Sequence, residues 1–176
     1  MSAKAPSAPP PGSSAPPDPF EEARQRLFPP PNNRQLAQAT EALARGRADL
    51  AEPLVAHVLE GKPDDPDALN LMAGLAWREH RLAEAQELML RCVRAAPSVG
   101  GYRFNHAVLL RRAERLDEAL AELDAALAIE PGNPLFREQK ASLLRQLGRL
   151  EDALALRRQL TTDYPQSPDV WLQYGN

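Results

Sequence analysis

The chain has 176 residues, of which 43% are hydrophobic, 26% charged and only 5% aromatic, with a formal net charge of −3. That balance suits one globular domain or a short solenoid, and it gives no overall pull toward nucleic acid or an anionic membrane surface. Cys92 is the only cysteine, so an intrachain disulfide is excluded and a reducing compartment is expected. No apolar run reaches the length of a membrane span, and the N-terminus lacks the apolar core of a secretion signal. The expected location is cytoplasmic.

Residues 1–17, MSAKAPSAPPPGSSAPP, have almost nothing to bury and are expected to be a disordered or extended Pro-rich tail. Their Pro9–Pro10–Pro11 run is either a solvated stretch or a ligand for an aromatic-lined groove. Asp18–Pro19–Phe20–Glu21 reads as a helix start, with Asp as the cap and Pro in the first position. The short helix, near 18–28, carries an apolar stripe of Phe20, Ala23 and Leu27 before Pro29–Pro30–Pro31 stops it. It should dock on the remainder of the chain; whether it caps the beginning or lies in a groove is open.

From Asn32 onward the chain repeats itself. Arg115–Asn133, RLDEALAELDAALAIEPGN, places Leu116, Ala119, Leu120, Leu123, Ala126 and Leu127 on one helical face. Gly148–Ser167 and His80–Ser98 have the same layout. Pro63, Pro97, Pro131 and Pro165 are evenly spaced by 34 residues, and Ala51, Ala85, Ala119 and Ala153 keep that interval. Ala39, Ala73, Ala107, Ala141 and Gly175 mark a second small-residue slot on the preceding helix. Small side chains are needed where helices cross closely.

Four repeats follow, at 32–65, 66–99, 100–133 and 134–167, with the start of a fifth at 168–176. In the first, helices are expected at about Asn33–Arg45 and Leu50–Leu59, with Gly46 in the turn and Pro53 in the first turns of the second helix. Gln35 and Gln38 give that repeat a polar outer face, as a terminal cap requires. In the second, helices are expected near Pro66–Glu79 and Leu82–Ala95. Leu82, Leu116 and Leu150, with Leu59, Val93 and Leu127, should fill the wider gaps between helices. The fifth begins at PDVWLQYGN, where Trp171, Tyr174 and Gly175 take packing slots, and the sequence stops inside that helix as if a longer array were cut.

The period and the placement of prolines and alanines resemble the tetratricopeptide repeat (TPR). That resemblance implies an all-α fold, a TPR α-solenoid of antiparallel hairpins wound as a right-handed superhelix. It also implies a concave groove lined by the first helix of each repeat. The lining would include Asn70, Trp77 and Arg78; then Phe104, Asn105, Val108, Arg111 and Arg112; then Glu138, Gln139, Ser142, Arg145 and Gln146. The candidate peptide contacts among these are Asn70, Trp77, Arg78, Phe104, Asn105, Arg111, Arg112, Gln139 and Arg145. Arg78, Arg111, Arg112 and Arg145 lie near the ends of successive first helices, which suits an extended ligand carrying carboxylates, although arginine is also simply a good helix former on a wet face. The lysine–asparagine clamp of chaperone-binding TPR proteins is missing.

No active site, metal site or cofactor site is expected. His57, His80 and His106 stand at unrelated repeat positions, and Cys92 occupies a small-residue slot and reads as a packing residue. The runs YRFNHAVLLRRAERLDEALAELDAAL, NPLFREQKASLLRQLGRLEDALAL and SPDVWLQYGN resemble the N-terminal TPR region of bacterial TPR-containing sulfotransferases. In those proteins a catalytic domain taking sulfate from 3′-phosphoadenylyl sulfate follows the repeats; its phosphosulfate loop has no counterpart here. Two readings stand: a non-catalytic interaction module ahead of a downstream sulfotransferase domain, or a free-standing TPR adaptor with peptide ligands and no linked enzyme.

Overall fold

The structure, a computed structural model, describes residues 18–27 and 33–165. Both the expected N-terminal tail and the opening of the fifth repeat lie outside the described residues. Among the described residues there are nine helices and no strand. A separate short helix, α1 (Pro19–Arg26), precedes four hairpins: α2 (Arg34–Ala44) with α3 (Ala48–Gly61), α4 (Pro66–Arg78) with α5 (Leu82–Ala95), α6 (Gly100–Arg112) with α7 (Leu116–Ile129), and α8 (Pro134–Gln146) with α9 (Leu150–Asp163). From α2 onward each helix packs on the next in chain order, so the array grows by stacking.

The first helices begin where the sequence supplies caps. Asp18, Asn33, Asp65 and Asn133 each accept a backbone N–H of the first turn through their side chains. Within each hairpin the turn is built in one way four times. The residue after the helix cap is left-handed: Gly46 at φ 75°, His80 at 62°, Glu114 at 58° and Gly148 at 76°. The arginine that follows donates its backbone N–H back into the helix, Arg47 to the Ala42 carbonyl at 2.9 Å, Arg81 to Ala76 at 2.8 Å, Arg115 to Leu110 at 3.0 Å and Arg149 to Leu144 at 2.9 Å. This six-to-one bond satisfies a carbonyl that the helix end would otherwise orphan, and it fixes the angle at which the second helix leaves. The same arginines reach forward to an acid in the first turn of that helix: Asp49, Glu84, Glu118 and Asp152.

The alanine slots are where the hairpins close. Ala39, Ala73 and Ala141, with Ala51, Ala85 and Ala119, are completely buried, and Ala107 and Ala153 nearly so. Around them the larger apolar residues fall into successive clusters: Leu36, Val55 and Leu75; then Leu69, Met89 and Tyr102; then Leu110, Leu123 and Leu143. Gly100 opens α6 where α4 and α8 have Pro, and a Cβ there would lie 2.9 Å from the Phe136 ring. The absent side chain lets Phe136 seat beneath α6 and stack on Phe104, with ring centroids 5.4 Å apart.

Three expectations need correction. Leu82 and Leu150 do not fill gaps: they are 44% and 57% exposed, because each is the first residue of its helix and points off the crossing. Pro53 is not in the first turn of its helix. Because α3 begins at Ala48, Pro53 is its sixth residue and removes one bond of the interior ladder. Finally, of the places left open for α1, capping the first repeat is not the one it takes: it packs against α8, in the fourth hairpin.

Two stability measurements follow. Ala119→Leu should overpack the α6–α7 crossing and lose about 1–3 kcal/mol in denaturant unfolding; an unchanged midpoint and slope would show that the crossing has room. Glu114→Gly should raise stability by about 1 kcal/mol, because the left-handed conformation strains a residue with a Cβ. The same exchange at Ala113, whose backbone is not left-handed, should give no such gain.

Candidate peptide-binding groove

The first helices bring part of the expected groove together. Asn70 and Trp77 of α4 face Asn105 and Val108 of α6 across a cleft of about 190 Å³, with Ala73, Gly74, Met89 and Leu109 completing its walls. Gly74 is four positions after Asn70, and Trp77 three after Gly74, so one face of α4 supplies them all. Gly74 has open space around its Cα, and that opening lets the Trp77 ring, 37% exposed, form an apolar rim.

At one end of the cleft the Asn105 amide nitrogen donates to the Asn70 amide oxygen at 2.8 Å. The two asparagines are 35 residues apart, one more than the period, so they meet across the helix pair instead of repeating in parallel. The bond leaves the Asn70 amide donors and the Asn105 amide oxygen able to serve a ligand, because an amide side chain has two donors and an acceptor oxygen with two lone pairs.

The other expected residues lie outside this cleft. Phe104 is half-buried, stacked on Phe136 and packed on the α6–α7–α8 cluster. Gln139 is half-buried on α8. Arg78, Arg111, Arg112 and Arg145 all occupy the last turn of their helices, where the helix dipole favours a cation. None of the four makes an ion pair among the described residues, whereas the turn arginines Arg47, Arg81, Arg115 and Arg149 are all paired. Helical spacing puts Arg112 on the face of Asn105, Val108 and Leu109, and Arg78 on the face of Asn70 and Gly74. Glu138, on the same side of α8, has its carboxyl raised above the usual range by burial, an effect that Arg157 and Arg145 oppose.

A second, larger cleft of about 540 Å³ lies between α5 and α7, with α6 as its floor. His106 is buried there, its Nδ1 3.1 Å from Glu122 Oε1, while Arg103 Nη1 is 3.1 Å from Glu122 Oε2. The adjacent His106 imidazole, together with Arg103, holds the Glu122 carboxyl below its usual range. Glu122, held by the Arg103 guanidinium and beside the His106 imidazole, ties α6 to α7. Cys92 is buried and donates to the Pro66 carbonyl at 3.2 Å; burial, with Asp67 nearby, pushes its thiol up to about 12. A thiol held protonated in this way is a packing group. Among the described residues no group of His, Cys, Asp and Glu has the arrangement to hold a metal ion, and no helix is long and apolar enough to cross a membrane.

The TPR resemblance pointed to Asn70, Trp77, Asn105 and Val108, but it missed Gly74 and Met89, which also line the cleft. The signal for Gly74 was readable: a glycine in a helix interior costs stability and therefore has a packing reason. Met89 belongs to a second helix and reaches the cleft from behind.

An array of stacked antiparallel helix hairpins with an open face along its first helices defines an α-solenoid scaffold. The hairpin it is built from is the tetratricopeptide repeat, and the chain belongs to that family: tetratricopeptide repeat models match residues 36–100, 71–134 and 110–173. No curated protein matches the chain in sequence. Among solved structures it is similar to MamA AMB-1, at 23% identity over 73% of this chain and 75% of that one with a TM-score of 0.61. A second crystal form of MamA AMB-1 gives 23% identity over 78% and 76% with a TM-score of 0.63. A mutant O-GlcNAc transferase of Thermobaculum terrenum gives 21% identity and a TM-score of 0.67 over 82% of this chain, which spans 27% of that protein. These likenesses are likenesses of fold.

The His106–Glu122 contact carries a pH signature. A carboxylate whose folded pKa is lowered contributes stability above its unfolded pKa and loses it as pH falls through the folded value. Glu122→Gln should therefore be less stable than the parent at neutral pH, by about 1–3 kcal/mol. The difference should close as pH drops below about 4.3. Denaturant unfolding at a series of pH values reads both; a difference that persists unchanged to low pH would assign the loss to packing.

Proposed function

We propose that this chain is a protein-interaction module that holds an extended peptide along its first helices, and that it catalyses nothing itself. The observation that carries the reading is the Asn70–Asn105 pair beside the Trp77 cleft. An extended peptide presents a carbonyl and an N–H at each residue, and the pair leaves donors on one asparagine and an acceptor on the other. The adjoining apolar cleft suits one side chain of such a ligand. In this reading the module runs over 32–176, with 1–31 outside it.

The preferred ligand is acidic. Among the described residues Arg78, Arg111, Arg112 and Arg145 make no ion pair, whereas most of the other arginines do, and a carboxylate ligand would pair with them. Attraction of this kind is screened over about 8 Å at physiological salt, so binding should be weak and salt-sensitive.

The resemblance of the last repeats to TPR-containing sulfotransferases supports placing this module in front of such an enzyme, where it would recruit the protein to be modified. The alternative is a free-standing adaptor. A phosphate-binding strand–loop–helix encoded beyond Asn176 is the outcome expected for the first, and a stop codon soon after a capping helix for the second.

The groove is tested by selecting acidic peptides from a display library and titrating one by fluorescence anisotropy. The Arg111→Glu/Arg112→Glu variant should bind about tenfold more weakly at low salt and show a flatter salt dependence. Trp77→Ala should weaken binding at every salt concentration. Unchanged affinity and salt dependence in the charge variant, with helicity intact, would reduce the arginines to a solvated face.

A further inference from the structure

The cleft between α5 and α7 shares no residue with the Trp77 cleft, although α6 contributes to both. Asn105 and Leu109 line one, and their chain neighbours His106 and Leu110 line the other, so α6 turns a different face to each. Leu90, 38% exposed, and Ala121 give the α5–α7 cleft apolar walls. Three carboxylates line it, those of Glu87, Glu118 and Glu122, against one guanidinium, that of Arg115. Arg115 is taken up by Glu118, meeting its two oxygens at 2.7 and 2.6 Å. Glu87 makes no ion pair among the described residues.

His106 is the feature of this cleft that packing does not require. The residue is 8% exposed, and its buried Nδ1 makes no hydrogen bond. That nitrogen stands 3.1 Å from Glu122 Oε1 without the alignment of a bond, while Arg103 holds Glu122 Oε2. One period earlier the same two positions are Met72 and Leu88, and one period later the Glu122 position is Leu156. The hairpins therefore stack with apolar groups there, and a buried nitrogen without a partner costs stability that an apolar pair keeps. A neutral imidazole has one acceptor nitrogen; with Nδ1 in that role, Nδ1 and Glu122 Oε1 are adjacent acceptors that lack a common donor. A guanidinium supplies several N–H donors in a planar fork on an aliphatic stem, whereas an ammonium is a compact point charge.

We propose that the α5–α7 cleft is a second binding site, which takes an arginine side chain from a basic segment of a partner protein. Glu122 Oε1 and His106 Nδ1 receive the guanidinium, Glu87 adds an unpaired carboxylate, and Leu90 and Ala121 bear the stem. The site does not rest on the groove reading: it would hold a basic segment whether or not the Trp77 cleft holds an acidic one.

The test titrates acetyl-Ala-Leu-Arg-Ala-Leu-Arg-amide into the full chain at low salt, followed by NMR. The His106 ring signals, identified by their loss in His106→Gln, should shift together with amides of α5 and α7. Replacing both arginines of the probe by citrulline, which keeps the shape and removes the charge, should weaken binding about tenfold. Glu122→Gln should weaken it by a similar factor, and Glu87→Gln, at an exposed position, should weaken it while circular dichroism shows the array intact. Trp77→Ala should leave this binding unchanged, which separates a failure here from a failure of the groove. Three results would each overturn the proposal: no shift of the His106 ring at millimolar probe, equal binding of the citrulline and arginine probes, or parental affinity in both glutamate variants.

Discussion

A methyl side chain where two helices cross is the constraint from which this molecule follows. The two alanine series leave the helices no bulk to hold them apart, and the larger residues then interlock on either side of each crossing. Keeping those crossings in phase requires every turn to have one geometry, and the left-handed residue followed by an arginine supplies it four times. A hairpin closed in this way still has an uncovered apolar face, so it needs a neighbour, and the neighbour needs another. The array is the consequence of a crossing that is satisfied and a face that is not.

Charge is divided by task. The turn arginines are held by acids near them in sequence, and Arg103 and Arg137 bond both a turn carbonyl and an acid of a second helix, Glu122 or Asp163. Such pairs are partly exposed and each contributes little, but they fix the rotamers around each turn. Among the described residues the last-turn arginines Arg78, Arg111, Arg112 and Arg145 make no ion pair, so their positive charge is left for solvent or a ligand in a chain whose net charge is negative.

The fold was legible because its determinants are local and periodic. Proline and alanine intervals set the hairpins, and the starts expected at Asp18, Asn33, Pro66 and Leu82 fall within a residue of those observed. What periodicity could not supply was which side of a helix end faces a neighbour. Leu82 and Leu150 match their helices' apolar pattern, but a first residue lies off the crossing and stays exposed. Nor does a period show what breaks it: Asn70 and Asn105 differ by one more than the repeat, and their bond arises because adjacent helices are offset. The docking of α1 was illegible for a different reason. It is a long-range contact made by a segment outside the repeat.

Cys92 adds a consequence of another kind. It is the chain's single thiol, sealed in the second hairpin against the Pro66 carbonyl with no exposed surface. In a solenoid each hairpin is held only by its neighbours, so the array can part at one junction while the remainder stays folded. A reagent in solution meets this sulfur only during such a parting. The molecule thus carries a built-in clock, one atom whose capture rate counts the openings of a single interior joint and is silent about all the others.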